Sequence, residues 1–258
     1  MKSTWFGCRK RYDFAKCIDA ADYSLQRWDL FTGFLQCAYG ACRQPINKML
    51  TGGLDDELEQ KVISEQNRVK NPSNYAEAFA ILTLALEEES YDFLGMVLQE
   101  LGIADKEFKG QCFTPRALSR ITAEMMLQDA KPQQGRTLWL HEPACGGGSM
   151  LIEASEVLKS QGFYPWDYYW LAVDVDWKCF AMTYIQSTLL SIPVGVIWGN
   201  ALTVEQWDSA NTLMAVMHPP KKRQGADAEE EVIEHQSPKV PTPPVNALEI
   251  TTQQLSLF

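Results

Sequence analysis

The sequence has no run approaching the roughly 18 consecutive apolar residues that span a bilayer, and its first residues, 1–11, carry charge with no apolar signal region behind them. Neither a membrane span nor an export signal is expected, and the cytoplasm is the default compartment. No CxxC pair occurs. The seven cysteines (Cys8, Cys17, Cys37, Cys42, Cys112, Cys145 and Cys179) are scattered and odd in number, so neither a disulfide framework nor a zinc site is indicated. They read as reduced thiols with packing roles. A net charge of -10 argues against a large basic surface, and so against strong autonomous binding to nucleic acid, where affinity comes mainly from neutralising phosphates. The basic clusters, residues 9–11 and 221–223, read as solvated surface.

What is present suffices for one good core with a helical satellite: 258 residues, 46% hydrophobic and 11% aromatic. Between residues 22 and 102 apolar side chains recur at helical spacing, as in Leu25, Trp28, Phe31, Leu35 and in Ala78, Phe79, Leu82, Leu86. Pro45, Gly52-Gly53 and Asn71-Pro72 are expected to divide this region, with Asn71 or Ser73 as caps. The aromatic residues Trp28, Phe31, Phe34 and Tyr39 are expected in its core. From residue 137 short apolar runs alternate with helical segments, the pattern of a parallel sheet flanked by helices. Strands are expected at 137–141, 169–174, 194–198 and 212–217, and helices at 149–160 and 177–190. Beyond Pro219 the composition turns to Lys, Gln, Glu and Pro, and residues 221–253 are expected to form a disordered linker because they cannot bury enough apolar surface.

The first strand runs into Glu142-Pro143-Ala144-Cys145-Gly146-Gly147-Gly148-Ser149, after which a helix begins. Glycines at a strand-to-helix turn let the backbone approach a ligand, at the sheet end where such folds bind cofactors. A tight turn without a ligand is the alternative. A dinucleotide fingerprint requires a further glycine where Leu151 stands, which disfavours nicotinamide or flavin. Asp174 ends the second strand, where a carboxylate can accept from both ribose hydroxyls, and Asn200 ends the third, where an amide oxygen can accept from an adenine amino group. Upstream, Gly110-Gln111-Cys112-Phe113-Thr114-Pro115 reads as a helix start with Thr114 as cap and Pro115 in first position.

That last segment resembles the Gly-Gln-Phe-Phe-Thr-Pro motif of adenine-specific DNA methyltransferases of the type I restriction modification-subunit kind. Residues 142–148 resemble the Asp-Pro-Ala-Cys-Gly-Ser-Gly loop that follows it there. The similarity covers roughly residues 20–220. It implies an α/β, Rossmann-like S-adenosylmethionine-dependent methyltransferase fold with a truncated sheet, divided into a helical N-terminal subdomain (1–105), a cofactor-binding domain (106–220), a linker (221–253) and a terminal peptide (254–258). By the same resemblance Phe113 and Thr114 border the methionine end of S-adenosylmethionine. Glu142, Pro143, Ala144, Cys145, Gly146 and Gly148 line its backbone, Asp174 takes the ribose and Asn200 the adenine. DNA is the implied substrate and a specificity subunit a possible partner. The family commonly has Asp at the positions of Glu142 and Asn200; an acceptor is retained at both.

Methylating the exocyclic amine of adenine requires a flipped base, an aromatic platform and acceptors for the amine. The family supplies these with Asn or Asp, Pro-Pro, then Phe or Tyr. This chain reads His218-Pro219-Pro220-Lys221 in that place. Neutral His218 can accept a hydrogen bond, whereas Lys221 cannot stack. The final Gln254-Leu255-Ser256-Leu257-Phe258 resembles the peptide by which bacterial proteins bind the replicative sliding clamp, with Gln254 in polar contacts and Leu255, Leu257 and Phe258 in apolar pockets. Such a tether would raise the local concentration near DNA without a basic surface; folding back onto the chain's own core is the alternative. Two functions follow: an adenine-specific DNA methyltransferase tethered to the clamp, or a catalytically degenerate relative acting as a DNA- or clamp-associated binding protein. Methylation of RNA or protein is a third.

Overall fold

The computed structural model describes residues 9–100 and 114–221, and the chain divides after Lys221. The expected linker beyond Lys221 and the peptide Gln254 to Phe258 lie outside the described residues, as do Phe113, Cys8 and Cys112.

Five helices come first: α1 (Arg9–Ala21), α2 (Arg27–Thr51), α3 (Asp56–Arg68), α4 (Ser73–Glu88) and α5 (Phe93–Glu100). Each turns an apolar stripe inward, as α1 does with Phe14, Ala15, Ile18 and Ala21. Phe14 packs edge-on against Phe34 of α2, with ring centroids 5.0 Å apart, and against Phe93 of α5 at 5.3 Å. Phe31, Phe34 and Tyr39 are buried as expected, and Trp28 is partly buried against the same core.

Two local expectations fail here. Pro45 does not divide the region but lies inside α2. Its exposed ring removes one backbone hydrogen bond from a helix held on either side of it by buried Cys42, Gln44 and Ile46. Neither Asn71 nor Ser73 caps α4, whose N-cap position is Pro72. Asn71 is instead used by α1, donating its main-chain N–H to Ala21 O (2.9 Å) and its side-chain amide to Ala20 O (3.2 Å), which satisfies carbonyls at a helix end. A third correction concerns residues 9–11. Arg11 is not solvated surface: it is buried and pairs in bidentate fashion with Glu100 at 2.9 and 2.8 Å.

The second half contains α6 (Arg116–Leu127), β1 (Leu138–Glu142), α7 (Ser149–Ser160), β2 (Tyr168–Asp174), α8 (Trp177–Leu189), β3 (Val194–Asn200), β4 (Glu205–Asn211) and the short α9 (Leu213–Met217). The sheet order is β1-β2-β3-β4. The first three strands are parallel, in register Leu138 to Tyr168 and Trp170 to Val194, and β4 is antiparallel to β3. The expected mixed α/β architecture with a helical N-terminal region is present. The helices and the sheet share one continuous core; Tyr39 of α2 packs against Tyr184 of α8 with centroids 5.2 Å apart.

The fourth strand is misplaced in the sequence reading. Its apolar run forms α9, and the strand lies just upstream in Glu205-Gln206-Trp207-Asp208-Ser209-Ala210-Asn211. An edge strand with one face in solvent needs few apolar residues, and here only Ala210 is buried. The connection from β3, residues 201–204, is far too short for a parallel crossover, so the strand must return antiparallel. Among the described residues no helix is long and apolar enough to cross a membrane.

Candidate functional site

At the end of β1 the chain turns sharply into α7. Cys145 N donates to Val173 O of β2 at 3.0 Å, and Gly148 N donates back to Cys145 O at 2.8 Å. Gly146 and Gly148 have φ of 54° and 93°, a left-handed conformation that side chains oppose. Gly146 N donates to Asp174 Oδ2 at 2.9 Å, so the loop and the acid at the end of β2 meet directly. Thr183 Oγ1 holds Gly146 O at 2.9 Å, and Gln186 Nε2 holds Gly147 O at 2.7 Å.

Asp174 is 8% exposed. Its Oδ1 accepts from Asp176 N at 2.9 Å. Burial pushes its carboxyl above the usual range, opposed by the Asp176 and Gly146 N–H groups. Each carboxylate oxygen carries two acceptor positions, so acceptor capacity remains beyond the Asp176 and Gly146 N–H groups. Glu142, half-buried, accepts from Ala144 N at 3.2 Å, and burial raises its carboxyl too. Pro143 and Ala144 form the exposed shoulder of the loop. Cys145 is buried and its thiol is pushed upward by desolvation, so it packs beneath the loop as a neutral group. Asn200 stands at the same sheet edge, but its Oδ1 is occupied by Leu202 N (2.9 Å) and Thr203 N (3.3 Å). An adenine amine would have to displace one of these donors.

Thr114 also belongs to this edge. The expected cap is shifted by one residue, because Pro115 itself is the N-cap of α6. Helix α6 lies alongside α7 in the same direction: Ser119 Oγ meets Ser149 Oγ at 2.9 Å near their starts, and Gln161 Nε2 reaches Leu127 O at 2.8 Å near their ends. Arg116 locks the pair by donating to Glu153 at 2.7 Å and Glu89 at 2.6 Å. Exposed Thr114 is thereby placed at the end of the fold where Gly148 starts α7.

His218, Pro219 and Pro220 are not brought to this edge. Strand β4 leaves Asn200 at Glu205 and returns to Gly195 at Asn211, and α9 continues along the far edge. The His218 ring packs 5.5 Å from Trp166, just before β2, and Lys221 N donates to Thr137 Oγ1 just before β1 at 3.1 Å. A strand the length of β2 separates the two edges, roughly 20 Å at about 3.3 Å per residue. Sequence reasoning also passed over Thr183, Gln186 and Asp92, which contact the glycine loop or its immediate supports; no local motif marks them.

A family model described as N-6 DNA Methylase matches residues 89–249. Three solved structures are similar. A Listeria monocytogenes protein assigned to the class I S-adenosylmethionine-dependent methyltransferases shares 15% identity with a TM-score of 0.42, over 77% of this chain and 56% of that one. A type I restriction-modification methyltransferase subunit from Streptococcus thermophilus shares 11% with a TM-score of 0.37, over 78% and 59%. A protein assigned as a type I modification subunit from Vibrio vulnificus shares 21% with a TM-score of 0.32, over 56% and 28%. The chain thus spans less than two thirds of the length of these structures. No curated protein matches it. The family match takes in the glycine loop, Asp174 and Asn200 and covers more than half of the sequence, and the chain belongs to the N-6 DNA methylase family.

Proposed function

We propose that the protein is the S-adenosylmethionine-binding chain of a DNA methyltransferase acting on the exocyclic amine of adenine, and that it does not complete the transfer alone. Bound S-adenosylmethionine supplies an electrophilic methyl group. Gly146 and Gly148, with side chains excluded by their φ angles, let the backbone approach the cofactor's chain. Asp174 has acceptor positions to spare for the ribose, and Asn200 reaches the adenine once its amide turns out of its local bonds. Thr114 and Phe113 take the methionine end, with Glu142, Pro143, Ala144 and Cys145 shaping the loop along the cofactor's backbone.

The observation that carries the second clause is the separation of His218-Pro219-Pro220 from Asp174 by the full height of the sheet. The acceptor that must hold the target amine is then delivered by another chain or by rearrangement. With a net charge of -10, recruitment to DNA falls to the peptide Gln254-Leu255-Ser256-Leu257-Phe258 on a sliding clamp, or to a specificity subunit. The same separation, with Lys221 where a stacking ring is needed, favours a second reading: a clamp-associated binding protein that retains the cofactor without catalysis.

The test is calorimetric binding of S-adenosylmethionine together with radiolabelled methyl transfer to unmethylated DNA, with and without clamp, using Asp174→Ala as the control. Binding that Asp174→Ala abolishes, with no transfer by the chain alone, is expected. Transfer by the chain alone that is lost in both Asp174→Ala and His218→Ala would overturn the second clause, and an absence of binding would overturn the first.

A further inference from the structure

The cofactor loop is supported from beneath by a helix and a turn that no motif connects to it. Gln186 of α8 uses every atom of its amide: Oε1 accepts from Leu94 N at 3.0 Å, and Nε2 donates both to Gly147 O at 2.7 Å and to Asp92 Oδ1 at 3.0 Å. Asp92, in the turn before α5, also accepts from Gly95 N at 2.8 Å through that Oδ1. Its carboxylate is buried. A Cβ built on either Gly95 or Gly147 would collide with it, so Asp92 fills the space between the helical region and the loop.

We propose that Asp92 is a positioning residue for the cofactor loop, acting through Gln186 to fix the Gly147 carbonyl and with it the backbone conformation of Gly146 to Gly148. This rests on the reading of residues 142–148 as the S-adenosylmethionine site. Removing the carboxylate leaves one Gln186 hydrogen without its acceptor and opens the floor under Gly147. The loop then gains freedom that binding must remove. Fixing one further residue weakens affinity by about tenfold.

The experiment measures the S-adenosylmethionine Kd by calorimetry and amide hydrogen exchange at Gly146 and Gly148 in the full chain. The proteins compared are the wild type, Asp92→Ala, Asp92→Asn and, as a control for general destabilisation, Leu82→Ala in the core of α4. Asp92→Ala is expected to weaken binding about tenfold and to speed exchange at both glycines. Asp92→Asn keeps the Oδ1 acceptor and should restore both to within about twofold, while Leu82→Ala lowers the Tm and leaves both unchanged. If Asp92→Ala does not fold, Gln186→Ala carries the same expectation. Unchanged Kd and exchange in Asp92→Ala, no rescue by Asp92→Asn, or an equal effect of Leu82→Ala would each overturn the proposal. Should the wild type not bind S-adenosylmethionine, the functional reading falls and exchange at Gly146 and Gly148 alone decides the role of Asp92.

Discussion

The imidazole of His218 packs 5.5 Å from the indole of Trp166, at the sheet edge where β1 and β2 begin, whereas Asp174 ends β2 at the opposite edge. An exposed ring in that position neither contacts the glycine loop nor anchors the core. His218→Ala is expected to leave the S-adenosylmethionine Kd within about twofold and stability within about 0.5 kcal/mol, as read by calorimetry and urea unfolding.

In its proposed ribose role, Asp174 links binding and stability to pH with opposite signs. Burial raises its carboxyl above the unfolded value, so its contribution to stability is present below the unfolded pKa and is lost as pH rises through the folded one. Ribose hydroxyls need the ionised acceptor, so affinity for S-adenosylmethionine should rise over the same interval. Asp174→Asn is expected to remove the affinity trend and to flatten the stability trend. A residual stability slope remains from Asp92 and Glu142, whose carboxyls burial also raises. Calorimetric titrations and urea unfolding across pH 4 to 8 measure both.

Pro45 interrupts the hydrogen bonding of α2 at an exposed position. Pro45→Ala restores a donor and helix propensity, partly offset by a more flexible unfolded chain, and should stabilise the protein by about 1–2 kcal/mol. A rise in the urea midpoint without a change in slope is the expected signature.

Arg116 bridges Glu89 and Glu153, and Glu153 is 2% exposed. Arg116→Met leaves the buried carboxylate, among the described residues, with Arg120 at 3.7 Å as its remaining cation. A loss of about 2 kcal/mol is expected, together with looser seating of Thr114, seen as faster amide exchange in the first turn of α6.

By the proposed clamp tether, the full chain binds a bacterial sliding clamp, and deleting residues 254–258 should abolish that binding while leaving the S-adenosylmethionine Kd unchanged. Surface plasmon resonance on immobilised clamp, paired with calorimetry, separates the two effects.

The glycine loop is legible because its signals are local. A glycine cluster follows an apolar run, an acid and an amide close the next two runs, and the periodicity changes from helical to strand-like at residue 137. Helix α7 coincides with the expected 149–160, and β1, β2 and β3 each begin or end within two residues of expectation. What stayed hidden depends on partners distant in the chain. Asp92 and Gln186 are separated by 94 residues and Gln186 and Gly147 by 39, and a lone Asp and Gln carry no pattern. Strand β4 was missed because an edge strand needs almost no apolar residues, while the apolar run after it was free to form a helix turn.

Local chemistry in the sequence therefore determined where the chain can make a tight glycine turn beside strand-ending acceptors, since glycine φ freedom and side-chain acceptors act over a few residues. Only the tertiary structure decided which residues meet there. A four-residue connection turned β4 antiparallel and carried His218 to the far edge, and the burial of Asp92 between two glycines tied the helical region to the loop; both follow from packing in three dimensions, which sequence periodicity does not encode.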